Sequence, residues 1–253
     1  SVTKQDFLDA VDRIIGGLEK KTRVMTQEEK RSIAVHEAGH ASVSWLLEYA
    51  NPLVKVTIVP RGQSLGAAWY LPEERTIITR EQMLDEMCAT LAGRAAEEVF
   101  LGRISSGALN DLERVTQRAY GMVAFLGMSE RMPNLSYYNP QETFQKPYSD
   151  ETARVIDQEV QKLVDEQYAR AKRILTENAE KHKELADLLC EHEVIFAADV
   201  ENIFGARPWK SRADIILEEQ PLPTETPAAE GETSAPQAAE EPTISAYLPN
   251  AAE

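Results

Sequence analysis

No run of 18 apolar residues occurs anywhere in the 253 positions of this chain, which excludes a membrane-spanning helix. No signal peptide is present either: Ser1-Val2-Thr3-Lys4-Gln5-Asp6 leads directly into an amphipathic segment. The chain opens on Ser1 rather than methionine and is read as a piece of a longer protein. Only two cysteines occur, Cys88 and Cys190, both in apolar helical surroundings. They read as small buried side chains rather than a disulfide and point to a reducing compartment. Basic charge is scarce: 27 Lys and Arg stand against 42 Asp and Glu, for a net charge of −15. Eight of those negative charges fall between Glu218 and Glu253, a stretch without lysine or arginine, and the remaining −7 leaves no strongly basic patch. That argues against nucleic acid as a partner.

What is present is a helical pattern with one short break. Apolar residues 43% of the total support a real core. Residues 3–19 carry a stripe of Phe7, Leu8, Val11, Ile14, Ile15 and Leu18 at helical spacing. Thr26-Gln27-Glu28-Glu29 matches a capping box, so a second helix begins there and runs to about Glu48, where Asn51-Pro52 stops it. Val54, Val56 and Ile58 then alternate as a strand, and Gly66–Leu71 reads as a second one. Further helices are expected over about 80–101 with Thr79 as cap, 109–125, 150–178 opened by Ser149, 179–191 and 197–204. From about Leu217 proline, glutamate, alanine and threonine dominate, a composition that buries too little apolar surface to offset its ordering entropy. The expected fold is mainly α with one small β-sheet or hairpin, followed by a disordered acidic tail over 211–253.

The chemistry lies in His36-Glu37-Ala38-Gly39-His40. On a helix, two histidines four residues apart project from one face and can share one tetrahedral Zn²⁺. Glu37 directly follows the first histidine, which sets its carboxylate beside the metal, where it can deprotonate a water. Ala38 and Gly39 are small enough to let another element approach closely. A deaminase-type zinc site is excluded, since no Pro-Cys-x-x-Cys accompanies the histidines. A third ligand is needed, and no histidine stands six residues on, where Leu46 is found. His182 and His192 lie in charged helices and read as solvated surface. Carboxylates are therefore the candidates: Glu97, Glu98 and Asp111. Spacing does not choose among them, although Asp111 in the first turn of a helix is favoured by the macrodipole.

Taken together, His36–Ala41, Lys55-Val56-Thr57-Ile58-Val59-Pro60-Arg61-Gly62, Ala95-Ala96-Glu97-Glu98, Ser106-Gly107-Ala108-Leu109-Asn110-Asp111-Leu112 and Ser149–Arg154 resemble the peptidase domain of FtsH-type (M41) membrane-anchored AAA+ zinc metalloproteases. Leu71-Pro72 and Lys146-Pro147-Tyr148 look closer to the mitochondrial m-AAA branch and its bacterial relatives. The resemblance divides the chain into 1–22, the end of the AAA+ module and a linker, a zinc peptidase domain over 23–210, and the tail. It implies Asp111 as third metal ligand with His36 and His40, Glu37 as catalytic base and Glu97 as a supporting residue. It also implies that Gly66, Ala67, Ala68, Trp69 and Tyr70 form a substrate-facing edge strand. One Zn²⁺ per chain, unfolded polypeptide substrates, a homo-hexamer, and a parent protein at the cytoplasmic face of a bacterial inner membrane are further implications. No Gly-x-x-x-x-Gly-Lys-Ser/Thr occurs, so ATP and membrane anchoring would belong to regions outside this chain. The competing readings are a catalytically inactive ring or scaffold relative and a structural zinc module. An intact Glu37 argues against the first, and the lack of a cysteine near the histidines argues against the second.

Overall fold

A computed structural model describes residues 25–60, 65–73, 75–138 and 147–219. The helix expected over 3–19 and the acidic stretch from residue 220 onward lie outside the described residues. Helix starts are set locally. Helix α1 (Gln27–Leu46) opens on a complete capping box: the Thr26 hydroxyl accepts from the Glu29 amide at 3.2 Å, and the Glu29 carboxylate accepts from the Thr26 amide at 2.7 Å. Helix α2 (Arg80–Ala96) repeats the device with Thr79 and Gln82. After α3 (Leu109–Tyr120), the long α4 (Asp150–Glu177) begins at Ser149, whose hydroxyl accepts from the Thr152 amide. Helices α5 (Ala179–His192), α6 (Ala197–Phe204) and α7 (Arg212–Glu219) complete the set among the described residues. Helix α7 occupies the start of the segment assigned to the tail, where Ile215, Ile216 and Leu217 still give helical apolar content. Two expected helices end differently from a plain α-helix. The one over 80–101 passes at Glu97–Leu101 into a π-helical turn, and the one over 109–125 does so at Gly121–Phe125.

Among the described residues the sheet has three antiparallel strands in the order β2-β1-β3. Strands β1 (Leu53–Thr57) and β2 (Ala67–Tyr70) form the expected hairpin, with a register shift between Leu53 and Lys55. Strand β3 (Val194–Phe196) falls between the helices expected over 179–191 and 197–204, and it pairs with β1 through Val56 and Ile195. Among the described residues strand β2 is a sheet edge.

Two groups of buried side chains hold the helices. The first joins α1, β1, α5, β3 and α6 through residues such as Val43, Val56, Leu185, Ile195 and Val200. The second lies on the other side of α2 and joins it to α3 and α4 through Met87, Leu91, Val115, Met122 and Ile156. Helices α1 and α2 meet through small residues: a Cβ on Gly39 would come within 2.6 Å of the Ala92 carbonyl oxygen. This is the close approach expected at Ala38-Gly39. At the far end of α1, no basic residue lies in its own last turn. The residues after α6 supply the missing donors, with Arg207 bonded to Leu47 O at 3.2 Å and Trp209 Nε1 to Leu46 O at 3.2 Å. They meet both the open carbonyls and the negative pole of the helix.

His182 corrects a sequence expectation. It is 1% exposed rather than solvated, stacked on Phe100 at 4.2 Å between centroids and hydrogen-bonded to Ser42 Oγ at 3.2 Å. His182, Leu185, Ala186 and Leu189 form one helical stripe that α5 turns toward α1. Burial pushes the His182 pKa down to about 4. His192, at the end of the same helix, is exposed as expected.

Candidate metal centre

His36 and His40 project from α1 toward Asp111, which sits in the first turn of α3. Their Nε2 atoms are 3.1 Å apart, and Asp111 Oδ2 lies 3.3 Å from that of His36 and 3.5 Å from that of His40. All three donors fall within 4.8 Å of one another. A tetrahedral Zn²⁺ with ligands at about 2.0–2.1 Å has ligand-to-ligand edges of about 3.3–3.4 Å. The three observed separations scatter around that edge, so the donor triangle fits the ion.

Both rings are held by their other nitrogen. His36 Nδ1 donates to Glu97 Oε1 at 2.8 Å, and His40 Nδ1 donates to the Ala89 carbonyl at 2.9 Å. A proton on Nδ1 leaves the lone pair on Nε2, facing the site. Glu97 thus touches the back of His36 rather than the donor triangle. Glu98 points elsewhere, paired with Lys172 at 3.0 Å and with the Tyr168 hydroxyl. Of the three candidate carboxylates, only Asp111 reaches the two Nε2 atoms.

The charge pattern agrees with a cation site. Burial works to lower the His36 pKa, but hydrogen bonds to Asp111 and Glu97 and the charge of Glu37 push it up to about 10. Asp111 is held well below the usual carboxylate range: burial acts upward, and the bonds to His36 and His40 overcome it. Glu97 is lowered as well, its bonds to His36 and Ser105 outweighing burial. The field at His36 therefore favours positive charge, which a divalent ion can supply. Glu37 goes the other way. It is 8% exposed, and burial raises its pKa against the attraction of His40 and His36.

Space for the ion is kept by a residue that the sequence reading did not single out. Gly93 of α2 faces the two rings, and a Cβ there would come within 2.5 Å of Nε2 of both His36 and His40. A glycine in a helix interior costs about 1 kcal/mol relative to alanine, and that cost was the available signal. Ser105 was likewise missed; its amide and hydroxyl bind the Glu97 carboxylate at 2.7 Å and 2.9 Å.

The donors open onto a cleft of about 1360 Å³. Gly66, Ala67, Ala68 and Tyr70 of the predicted substrate strand line it. Gly66 lies on Glu37, where a Cβ would come within 2.7 Å of Oε1. Tyr70 accepts a hydrogen bond from Ser44 at 3.3 Å. Trp69 does not line the cleft; the alternation of the strand turns it to the other face, where its ring lies 5.6 Å from Lys55 Nζ.

A profile of peptidase family M41 matches residues 23–203. The chain is 65% identical over 222 residues to the ATP-dependent zinc metalloprotease FtsH of Parabacteroides distasonis, covering 87% of this chain and 32% of that protein. It is 51% identical over 215 residues to the protein of the same name from Rhodothermus marinus, covering 83% of this chain and 31% of that one. The mitochondrial inner membrane m-AAA protease component AFG3L2 of Mus musculus is 46% identical over 216 residues, with 84% and 27% covered. The chain therefore spans about a third or less of the length of these relatives.

Proposed function

The chain belongs to peptidase family M41, and on that premise we propose that it is the zinc endopeptidase part of an ATP-dependent protease that degrades unfolded or membrane proteins. The observation that carries this reading is the convergence of His36 Nε2, His40 Nε2 and Asp111 Oδ2 beside the buried Glu37. Those three residues would hold the ion, which supplies Lewis acidity toward a scissile carbonyl and an attacking water. Glu37 accepts the proton of that water and returns it to the departing amine. Its raised pKa suits both transfers, because the group can be loaded and unloaded nearer neutral pH. Glu97 fixes the ring of His36 and makes it a stronger donor.

Strand β2 is a sheet edge on the cleft and can pair with an extended polypeptide through backbone N–H and C=O groups. Main-chain pairing reads little sequence, which suits loosely specific digestion of unfolded chains. Three protein donors, with no fourth among the described residues, support a catalytic site over a closed structural one. The two FtsH relatives carry ATP dependence in their names, and ATP would act through a module outside this chain. Assembly as a homo-hexamer at the cytoplasmic face of a bacterial inner membrane belongs to the same proposal. Among the described residues no helix is long and apolar enough to cross a membrane, so anchoring would come from elsewhere in the parent protein.

Glu37→Gln tests the reading. Zinc content measured by mass spectrometry should equal that of the unaltered chain, while hydrolysis of an unfolded protein falls by about 10²–10⁴-fold. Near-normal hydrolysis by this variant would remove Glu37 from the mechanism.

A further inference from the structure

The metal donors come from two helices that pack on opposite sides of α2. His36 and His40 belong to α1, whereas Asp111 belongs to α3, which packs on α2 and α4. Their relative placement must be fixed to a few tenths of an ångström, because the ion accepts a narrow range of ligand distances. Besides their shared packing on α2, the two are linked by a polar chain through a residue of the loop before α3. Ser105 donates its amide to Glu97 Oε2 at 2.7 Å and its hydroxyl to Glu97 Oε1 at 2.9 Å. That same Oε1 receives the Nδ1 proton of His36. The Ser105 oxygen also accepts from the Gly107 amide at 3.1 Å, which caps the short 3₁₀ turn Ser106–Ala108. This turn runs directly into α3, and Asp111 follows in its first turn.

We propose that Ser105 is a positioning residue of the metal site, setting the orientation of His36 through Glu97 and the placement of Asp111 through the capped turn. The proposal rests on the reading of His36, His40 and Asp111 as metal ligands. Two physical consequences make it specific. With both Glu97 oxygens occupied, the carboxylate has one rotamer that satisfies its partners, so the His36 ring has one orientation. The hydroxyl serves as donor and acceptor at once, which alanine cannot do and threonine can.

The test uses the 253-residue chain and its Ser105→Ala and Ser105→Thr variants. Zinc affinity is measured by competition with a chromophoric chelator, and the donor geometry by the visible spectrum of the Co²⁺-loaded protein. Ser105→Ala should weaken zinc binding by roughly 10–100-fold, the range for groups that support ligands from behind, and should shift the Co²⁺ bands. Its metal-free form should still unfold cooperatively, with a midpoint lowered by only the few degrees that loss of one cap costs, and Ser105→Thr should restore affinity and spectrum. Wild-type zinc affinity and an unchanged Co²⁺ spectrum in Ser105→Ala would overturn the role, as would a threonine variant no better than alanine. Loss of the metal-free fold in Ser105→Ala would make the residue structural and overturn it too. Failure of the unaltered chain to bind zinc would instead overturn the ligand reading itself, and the Ser105 role with it.

Discussion

Replacing Gly93 by alanine separates the stability of the fold from the capacity of the site. In a helix interior the substitution is favourable by about 1 kcal/mol. Here the new methyl would stand 2.5 Å from Nε2 of both histidines and 2.6 Å from Cε1 of His36. A ring must turn away, yet each is tied by its Nδ1, to Glu97 at 2.8 Å and to Ala89 O at 2.9 Å. Giving up one such bond costs about 1–3 kcal/mol, the upper end applying to the charged Glu97. In the metal-free protein the two effects nearly offset, and denaturant unfolding should give a stability within about 2 kcal/mol of the parent chain. The zinc site has no such compensation, and its affinity should fall by at least ~100-fold, or about 2.8 kcal/mol. At zinc 1,000 times the parent dissociation constant, binding adds about 4.1 kcal/mol to the parent and about 1.4 kcal/mol to a variant bound 100-fold more weakly. Unfolding with and without zinc, with a chelator competition for the affinity, reads both numbers. A Gly93→Ala protein that binds zinc as tightly as the parent would refute the reasoning, since the space in front of the two nitrogens would then not be where the metal sits.

Asp111→Asn should weaken zinc binding by at least ~100-fold, and Glu97→Gln by roughly 10–100-fold; the reverse ranking in a chelator competition would make Glu97 the ligand. His182 should make the metal-free protein acid-labile. Its folded pKa of about 4 lies below the ordinary histidine value of 6.5, so the neutral buried ring contributes its full stability above pH 6.5 and loses it as the pH falls toward 4. The difference amounts to about 3 kcal/mol, and it should appear as a shallower pH dependence of unfolding in His182→Asn than in the parent. Equal slopes between pH 6.5 and 4 would show that His182 is not held neutral by burial.

Features encoded within a few residues were legible in the sequence. The caps at Thr26, Thr79 and Ser149 each need only a side chain and an amide three residues on, and the structure forms all three. The spacing of His36 and His40 likewise places both rings on one helix face whatever the rest of the chain does. Features decided by distant partners were not. Strand β3 is three residues long and exists because Ile195 pairs with Val56. His182 looks polar in a charged helix, and only the packing of α5 on α1 buries it. The choice of Asp111 over Glu97 and Glu98 depended on where α2 ends. The π-helical turn at Glu97–Leu101 aims Glu97 behind His36, while Glu98 goes out to Lys172. Gly93 carries no pattern of its own, since its contribution is the absence of an atom.

X-ray absorption at the zinc edge of the metal-loaded chain tests the central claim most directly. The account predicts one zinc per chain in a shell of two imidazole nitrogens and oxygen donors at about 2.0–2.2 Å, with the imidazole signal lost in His36→Ala/His40→Ala. A sulfur shell at about 2.3 Å, implicating Cys88 or Cys190, or zinc retained unchanged in that double variant, would contradict it.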